Sequence, residues 1–231
     1  MPTIQFKALS EQALFVEFGS SINEETQLNI QQAVTALQQQ PFPGLIEIVP
    51  SYTNFCVYYD PFIVLKHLPA ANTISKRVQT YIQQLLTNPT APDKTTRRTI
   101  EISVLYGGEY GPDLQAVADY NRMTTDEVIR IHTSRDYIVY MLGFAPGFPY
   151  LGGLDERIIT PRRATPRPRI AAGSVGIGGE QTGIYPFATP GGWQIIGRTM
   201  TPLFSLENNP PTLLQAGDIV RFVALKEVPS C

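Results

Sequence analysis

Apolar and polar positions change their period several times along the first part of the chain. Residues 3–8 and 13–18 (ALFVEF) carry the short apolar patterns of strands, joined by a turn around Ser10-Glu11-Gln12. Asn23 is a good N-cap residue. After it, Ile30, Ala33, Val34 and Leu37 recur at i, i+3, i+4 and i+7, which predicts an amphipathic helix that Pro41 and Pro43 stop. Strands are predicted at 45–49 and 54–59, either side of the turn Pro50-Ser51-Tyr52-Thr53. Ile74, Val78, Tyr81, Ile82 and Leu85 then form one stripe of a second helix over 72–86. The order ββαββα buries itself most simply as an antiparallel sheet with two helices on one face.

Residues 87–97 (TNPTAPDKTTR) are polar with two prolines, a linker composition that divides the chain into domains at 1–90 and 91–231. Beyond it, Ile100, Ile102 and Val104 alternate with Glu101 and Ser103 as a half-buried strand. Short helices are predicted at 113–121 behind Asp113 and at 125–132 behind Thr124, with Asp126 and Glu127 suiting the first turn of the second. From 136 onward the apolar runs YIVYML, RIAAGSVGI, TGIYPF, WQIIGR and DIVRFVAL are broken by Gly and Pro, which predicts a compact β-barrel or closed sheet with long loops. Glycine usage marks the same change, since sixteen of the eighteen glycines lie from Gly107 onward. The class is α+β.

Composition narrows the function by exclusion. With 43% hydrophobic and 16% charged residues the chain is globular rather than disordered. A formal charge of −2 offers no basic field for nucleic acid, and no apolar run reaches the ~20 residues of a membrane span. The N-terminus shows no basic and apolar secretory pattern, and Cys56 and Cys231 are too few for a disulfide framework or a zinc site. A reduced, cytoplasmic protein without a metal centre is expected.

Three segments could carry chemistry. Gly143-Phe144-Ala145-Pro146-Gly147-Phe148-Pro149-Tyr150-Leu151-Gly152-Gly153-Leu154 is too rich in Gly and Pro for a helix or a central strand and reads as a stiff loop, in which Gly143, Pro146, Gly147 and Pro149 set the backbone. It reads either as the wall of a ligand or docking site or as a barrel plug. Residues 157–169 (RIITPRRATPRPR) hold five of thirteen arginines and no acid, on a proline-interrupted extended loop. Arg162, Arg163, Arg167 and Arg169 could fork onto carboxylate or phosphate; a solvated or partner-facing basic loop is the alternative, and nucleic acid is a weaker third. The glycine-rich stretch 173–183 lacks the lysine of a phosphate loop and the third glycine of a dinucleotide loop, so it reads as a β-turn that could still offer an anion nest. Trp193 reads as core or as a lid, and His132, at a helix end, as a cap, a packing residue or an acid–base group.

These segments, in order, resemble one family. YGGEYGPDLQAVA, IHTS, the long run from YMLGFAPGFPYLGG to GGWQIIGRT, and LLQAGDIVRF are similar to the B subunit of prokaryotic 5-oxoprolinase, also called allophanate hydrolase subunit 1 or the KipI-type kinase inhibitor family. The likeness is strong over 100–225 and looser over 1–90. One departure is Ala171, where the family usually has proline, which is expected to loosen that turn. The resemblance implies a small N-terminal α/β sandwich domain followed by a cyclophilin-like β-barrel. It also implies ATP-dependent opening of 5-oxoproline to L-glutamate, performed with an A subunit, and with a carboxyltransferase-like C subunit. ATP, with Mg, is expected to be bound with the partner. The family's other implied role is binding and inhibition of a sporulation sensor histidine kinase. For a small carboxylate or polyphosphate the expected donors are Arg162, Arg163, Arg167 and Arg169 with Gln181, Thr182, Tyr185 and His132; no residue is assigned as a catalyst.

Overall fold

The computed structural model describes residues 4–87 and 97–225, and the chain divides into two units, Met1–Thr96 and Arg97–Cys231, each with its own core. Most of the expected linker over 87–97, and Cys231, lie outside the described residues.

In the first unit, β1 (Gln5–Ser10), β2 (Ala13–Glu17), β3 (Leu45–Pro50) and β4 (Asn54–Tyr59) form one antiparallel sheet in the order β1-β2-β4-β3. The register pairs Leu14 with Val57 and Val16 with Phe55, so four apolar side chains share one face. Onto that core pack α1 (Glu24–Gln39) through Ile30, Ala33 and Leu37, and α3 (Ile74–Thr87) through Val78 and Ile82. Fully burying each such side chain contributes roughly 1.5–3 kcal/mol. The N-cap read from Asn23 is present, its Oδ1 accepting the Thr26 N–H at 2.8 Å. The pattern missed α2 (Pro61–His67). Asp60 caps this single-sided helix by accepting from the Phe62 and Ile63 amides, and Pro61 occupies its first turn, so the Asp-Pro pair was the available signal.

The second unit is a closed seven-stranded barrel, as the broken apolar runs predict. Its strands are β5 (Thr99–Tyr106), β6 (Asp136–Leu142), β7 (Pro149–Gly152), β9 (Ser174–Gly178), β10 (Gln181–Ile184), β12 (Gln194–Arg198) and β13 (Ile219–Leu225). The order around the barrel is β10-β7-β6-β13-β5-β12-β9. All neighbours are antiparallel except β5 and β13, where Ile102 faces Phe222 in parallel register. Two helices, α4 (Leu114–Tyr120) and α5 (Thr125–Thr133), add Val117, Val128 and Ile131 to the barrel core. The run RIAAGSVGI is divided: β8 (Arg167–Ile170) pairs outside the barrel with β11 (Thr189–Gly191), and β9 begins after a turn. That turn is tight despite Ala171. Gly173 N–H donates to Tyr185 O at 2.7 Å, Thr199 N–H to Gly173 O at 2.9 Å, and Arg198 Nε to Ala172 O at 2.9 Å. Among the described residues no helix is long and apolar enough to cross a membrane.

Candidate functional site

The arginine loop does not project freely from the barrel. Gly179 N–H donates to Thr160 O at 2.9 Å, Gln194 Nε2 to Pro161 O at 3.0 Å, and Arg163 N–H to Gly192 O at 2.7 Å. Its side chains are tied down as well. Asp113 stands at the N-cap of α4 but makes no side-chain cap; its buried carboxylate serves the loop instead. Arg167 forks onto it at 2.6 and 2.7 Å, Arg163 Nη1 binds Oδ1 at 2.8 Å, and the Ile195 amide donates to Oδ2 at 2.7 Å. Four charge-assisted bonds converge on one side chain that the sequence marks only as a helix start. Arg157 is committed likewise, forking onto Asp155 at 2.9 Å through Nε and Nη2, which holds that carboxyl well below the usual carboxylate range.

Arg157, Arg162 and Arg169 are exposed, and of these Arg157 is paired with Asp155. Arg162 lies over the Trp193 ring, 5.8 Å from its centroid. Burial raises the Tyr150 and Tyr185 hydroxyl pKa values, that of Tyr185 to about 12, and the Arg162 charge opposes the rise at both. Three aromatic residues therefore feel one guanidinium. They belong to a second apolar cluster of the unit, made of Phe148, Ile170, Tyr185, Trp193 and Ile195 with Ala145 and Tyr150 packed against it. Phe148 stands edge-on to Tyr150, Tyr185 and Trp193, with centroids 4.9, 5.1 and 5.5 Å away.

The loop Gly143–Phe148 buries one aromatic ring and exposes the other. Phe148 is buried, while Phe144 is 64% exposed and edge-on to Phe148 and Tyr185. Phe144 also has φ of 67°, a left-handed conformation that costs energy for a bulky residue and that clusters at functional sites. Its neighbours hold it there: Gly143 N–H donates to Phe148 O at 3.1 Å, and Phe148 N–H to Ala145 O at 3.0 Å. Pro146 is exposed at the tip and Gly147 has φ of 79°, but Pro149 opens β7, so residues 149–152 of the expected loop are a barrel strand paired on both sides, with β6 and β10.

The glycine run serves Trp193. A Cβ on Gly178 would lie 2.5 Å from the indole, and one on Gly183 would lie 2.7 Å from Pro149 O and 3.0 Å from the indole. These glycines let β9 and β10 lie against the ring, so the segment is a barrel hairpin shaped for an aromatic. Gly178→Ala is accordingly expected to displace Trp193, shift its emission and destabilise the unit by about 1–3 kcal/mol. Unchanged emission and melting temperature would show that the indole is not seated there.

The remaining candidates lie elsewhere. Gln181 is half-buried at the start of β10 and Arg169 lies on β8. His132 and Thr182 form part of a buried chain inside the barrel. Thr182 Oγ1 donates to Gly176 O at 3.0 Å, so it accepts from His132 Nε2–H at 3.0 Å, and His132 Nδ1 accepts from the Tyr106 hydroxyl at 2.8 Å. Burial lowers the His132 pKa to about 3, and its ring packs 4.5 Å from Phe222 and 5.3 Å from Tyr137. The imidazole is a neutral packing residue and supplies no cation to the end of α5. Of the expected donors, Arg162 lies next to the buried cluster that holds Tyr185 and Trp193, and Asp113, which sequence reasoning read only as a helix start, is the anchor of Arg163 and Arg167.

Comparison with known proteins adds a family. The model described as carboxyltransferase domain, subdomain C and D, matches residues 4–214. A protein of Bacillus subtilis (strain 168), named as the B subunit of 5-oxoprolinase, is 49% identical over 224 residues, covering 96% of this chain and 93% of its own. The crystal structure of TTHA0988 matches with a TM-score of 0.79 and 32% identity over 94% of this chain, which spans only 40% of that longer one. The urea carboxylase of Kluyveromyces lactis shares the fold, with a TM-score of 0.71 at 19% identity, over 97% of this chain and 22% of its own.

Proposed function

Because the chain belongs to the family of the 5-oxoprolinase B subunit, a carboxyltransferase subdomain C and D family, we propose that it is the B subunit of an ATP-dependent 5-oxoprolinase. With the A and C subunits it opens 5-oxoproline to L-glutamate in the cytoplasm. The observation that carries this reading is identity of 49% running through 96% of this chain and 93% of the relative. That this chain spans 40% of TTHA0988 suits a protein that works beside a further domain or subunit.

The chemistry divides naturally between subunits. A five-membered amide is a poor electrophile. Transfer of the ATP γ-phosphoryl group to its oxygen, with ADP leaving, activates the carbonyl carbon. Water adds, the ring C–N bond breaks, and inorganic phosphate departs to leave the carboxylate and amine of glutamate. ATP supplies that activation when bound. This chain contributes fixed donors and a shaped aromatic surface, which position and stabilise charge without reorganising. In this reading the Mg-nucleotide is bound with the partner subunits.

The purified chain is expected to release no glutamate from 5-oxoproline and ATP, and to support release only when mixed with the A and C subunits. Turnover by the chain alone would overturn the division of labour, and an inactive complete mixture would overturn the reading.

A further inference from the structure

We propose that Arg162, braced on Trp193, is the residue that binds the carboxylate of the small cyclic acid, so that this chain takes the organic substrate. The inference rests on the 5-oxoprolinase reading and names the part of the substrate this surface recognises.

The arginine loop holds four other guanidinium groups, but Arg163 and Arg167 face Asp113 and Arg157 faces Asp155. Arg162 differs from these three in that its guanidinium lies against a ring instead of a carboxylate. Its main chain is nonetheless fixed on both sides, through Pro161 O to Gln194 and through Arg163 N–H to Gly192. An exposed arginine with an anchored backbone and a guanidinium held over a ring is partly oriented before a ligand arrives, which favours forked binding. Arg169 is exposed as well, on β8, but no ring braces it among the described residues.

The surroundings choose the class of anion. Tyr150 is half-buried, Tyr185 closes the cluster beneath, and exposed Phe144 stands edge-on to Tyr185 at 6.3 Å. One guanidinium among aromatic faces suits a single carboxylate carried on a small flat ring, with the fork on the carboxylate and the ring against the aromatics. A polyphosphate spreads several charges and calls for several unengaged donors at once. The conformation of Phe144 fits this role, because a strained residue held exposed keeps an aromatic ring available beside the buried cluster for a substrate ring to pack against.

Trp193 is the sole tryptophan, so emission from the chain reports on the ring beneath Arg162. The test is to titrate the chain with 5-oxoproline, with the uncharged lactam 2-pyrrolidinone, and with inorganic phosphate. A saturable emission change is expected with 5-oxoproline alone. It should weaken about tenfold or more in Arg162→Gln and in Arg162→Lys, which replaces a fork by a point charge. Arg130→Gln, an exposed position on α5, should titrate as the parent does, and melting temperatures should hardly move in any of these variants. Phosphate acting as well as 5-oxoproline, or an Arg162→Gln titration like the parent's, overturns the proposal. In the complex with the A and C subunits, Arg162→Lys should raise KM for 5-oxoproline about tenfold with kcat little changed. An unchanged KM there refutes the carboxylate site and leaves the proposed function standing. An inactive parent complex refutes that function, and the emission titration then decides the site; silence in both assays overturns it.

Discussion

Asp113→Ala is expected to destabilise the barrel unit by about 3 kcal/mol and to open the arginine loop to protease. The carboxylate is 3% exposed and takes bonds from two guanidinium groups and the Ile195 amide. Removing one partner of a buried ion pair costs about 3–5 kcal/mol, because the remaining charges stay desolvated. The low end applies, since Arg163 and Arg167 both reach water and can be partly resolvated. Asp113→Asn keeps an acceptor for the Ile195 amide but loses the charge, so its cost should fall between those of alanine and the parent. Urea unfolding of the three proteins measures the order, and limited proteolysis reports the loop. A loss under about 1 kcal/mol for alanine would mean that the backbone bonds at Pro161 and Arg163 hold the loop without the ion cluster.

Stability is also expected to fall steadily as pH drops from about 6.5 toward 3, with His132 as a principal cause. Burial lowers its folded pKa to about 3, whereas the unfolded chain titrates it near the ordinary value of 6.5. Between those values the unfolded state binds the extra proton, so stability rises with pH and is lost on acidification. The slope from this one group is at most roughly 1.4 kcal/mol per pH unit. Tyr106 and Tyr137, which face the ring, have hydroxyl pKa values raised by burial and remain neutral throughout the window. Carboxylates whose pKa values are lowered by arginine, Asp136 and Asp155, add their own acid sensitivity at the lower end. The His132→Gln variant separates the contributions. It cannot both donate to Thr182 and accept from Tyr106 at the same spacing, so it should cost about 2 kcal/mol at pH 7. Between about pH 4 and 6 its stability should depend less on pH than the parent's. A slope identical to the parent's would show that His132 is already charged in the folded chain.

The donors of the candidate surface were legible in the sequence only in part. Five arginines among prolines announced an unusual loop, yet a run of identical residues does not say which member faces solvent. That sorting came from two acids, Asp113 and Asp155, one of which lies some fifty positions away along the chain. His132 was visible as a helix-end histidine, but its neutrality depends on Phe222, Tyr137 and Thr182 closing around it.

What the sequence determined by itself was local. Periodicity placed α1 and α3, because a helix face needs only i, i+3 and i+4 neighbours to declare itself, and cap residues placed α4 and α5. Asn23 and Thr124 marked their helix starts because a cap is a contact over three residues. Short apolar runs broken by Gly and Pro announced a closed sheet. The tertiary structure decided everything that joins distant segments. Alternation along β5 and β13 is the same in either direction, so their parallel pairing could not be read from it. Asp113 looked like a cap because its nearest neighbours are helical, and barrel closure instead set it beside the Ile195 amide and two loop arginines. The glycines at 178 and 183 resembled a turn until Trp193 was laid against them. In each case the deciding energy is the desolvation of a charge or the close packing of a ring, and both depend on what folding brings near in space.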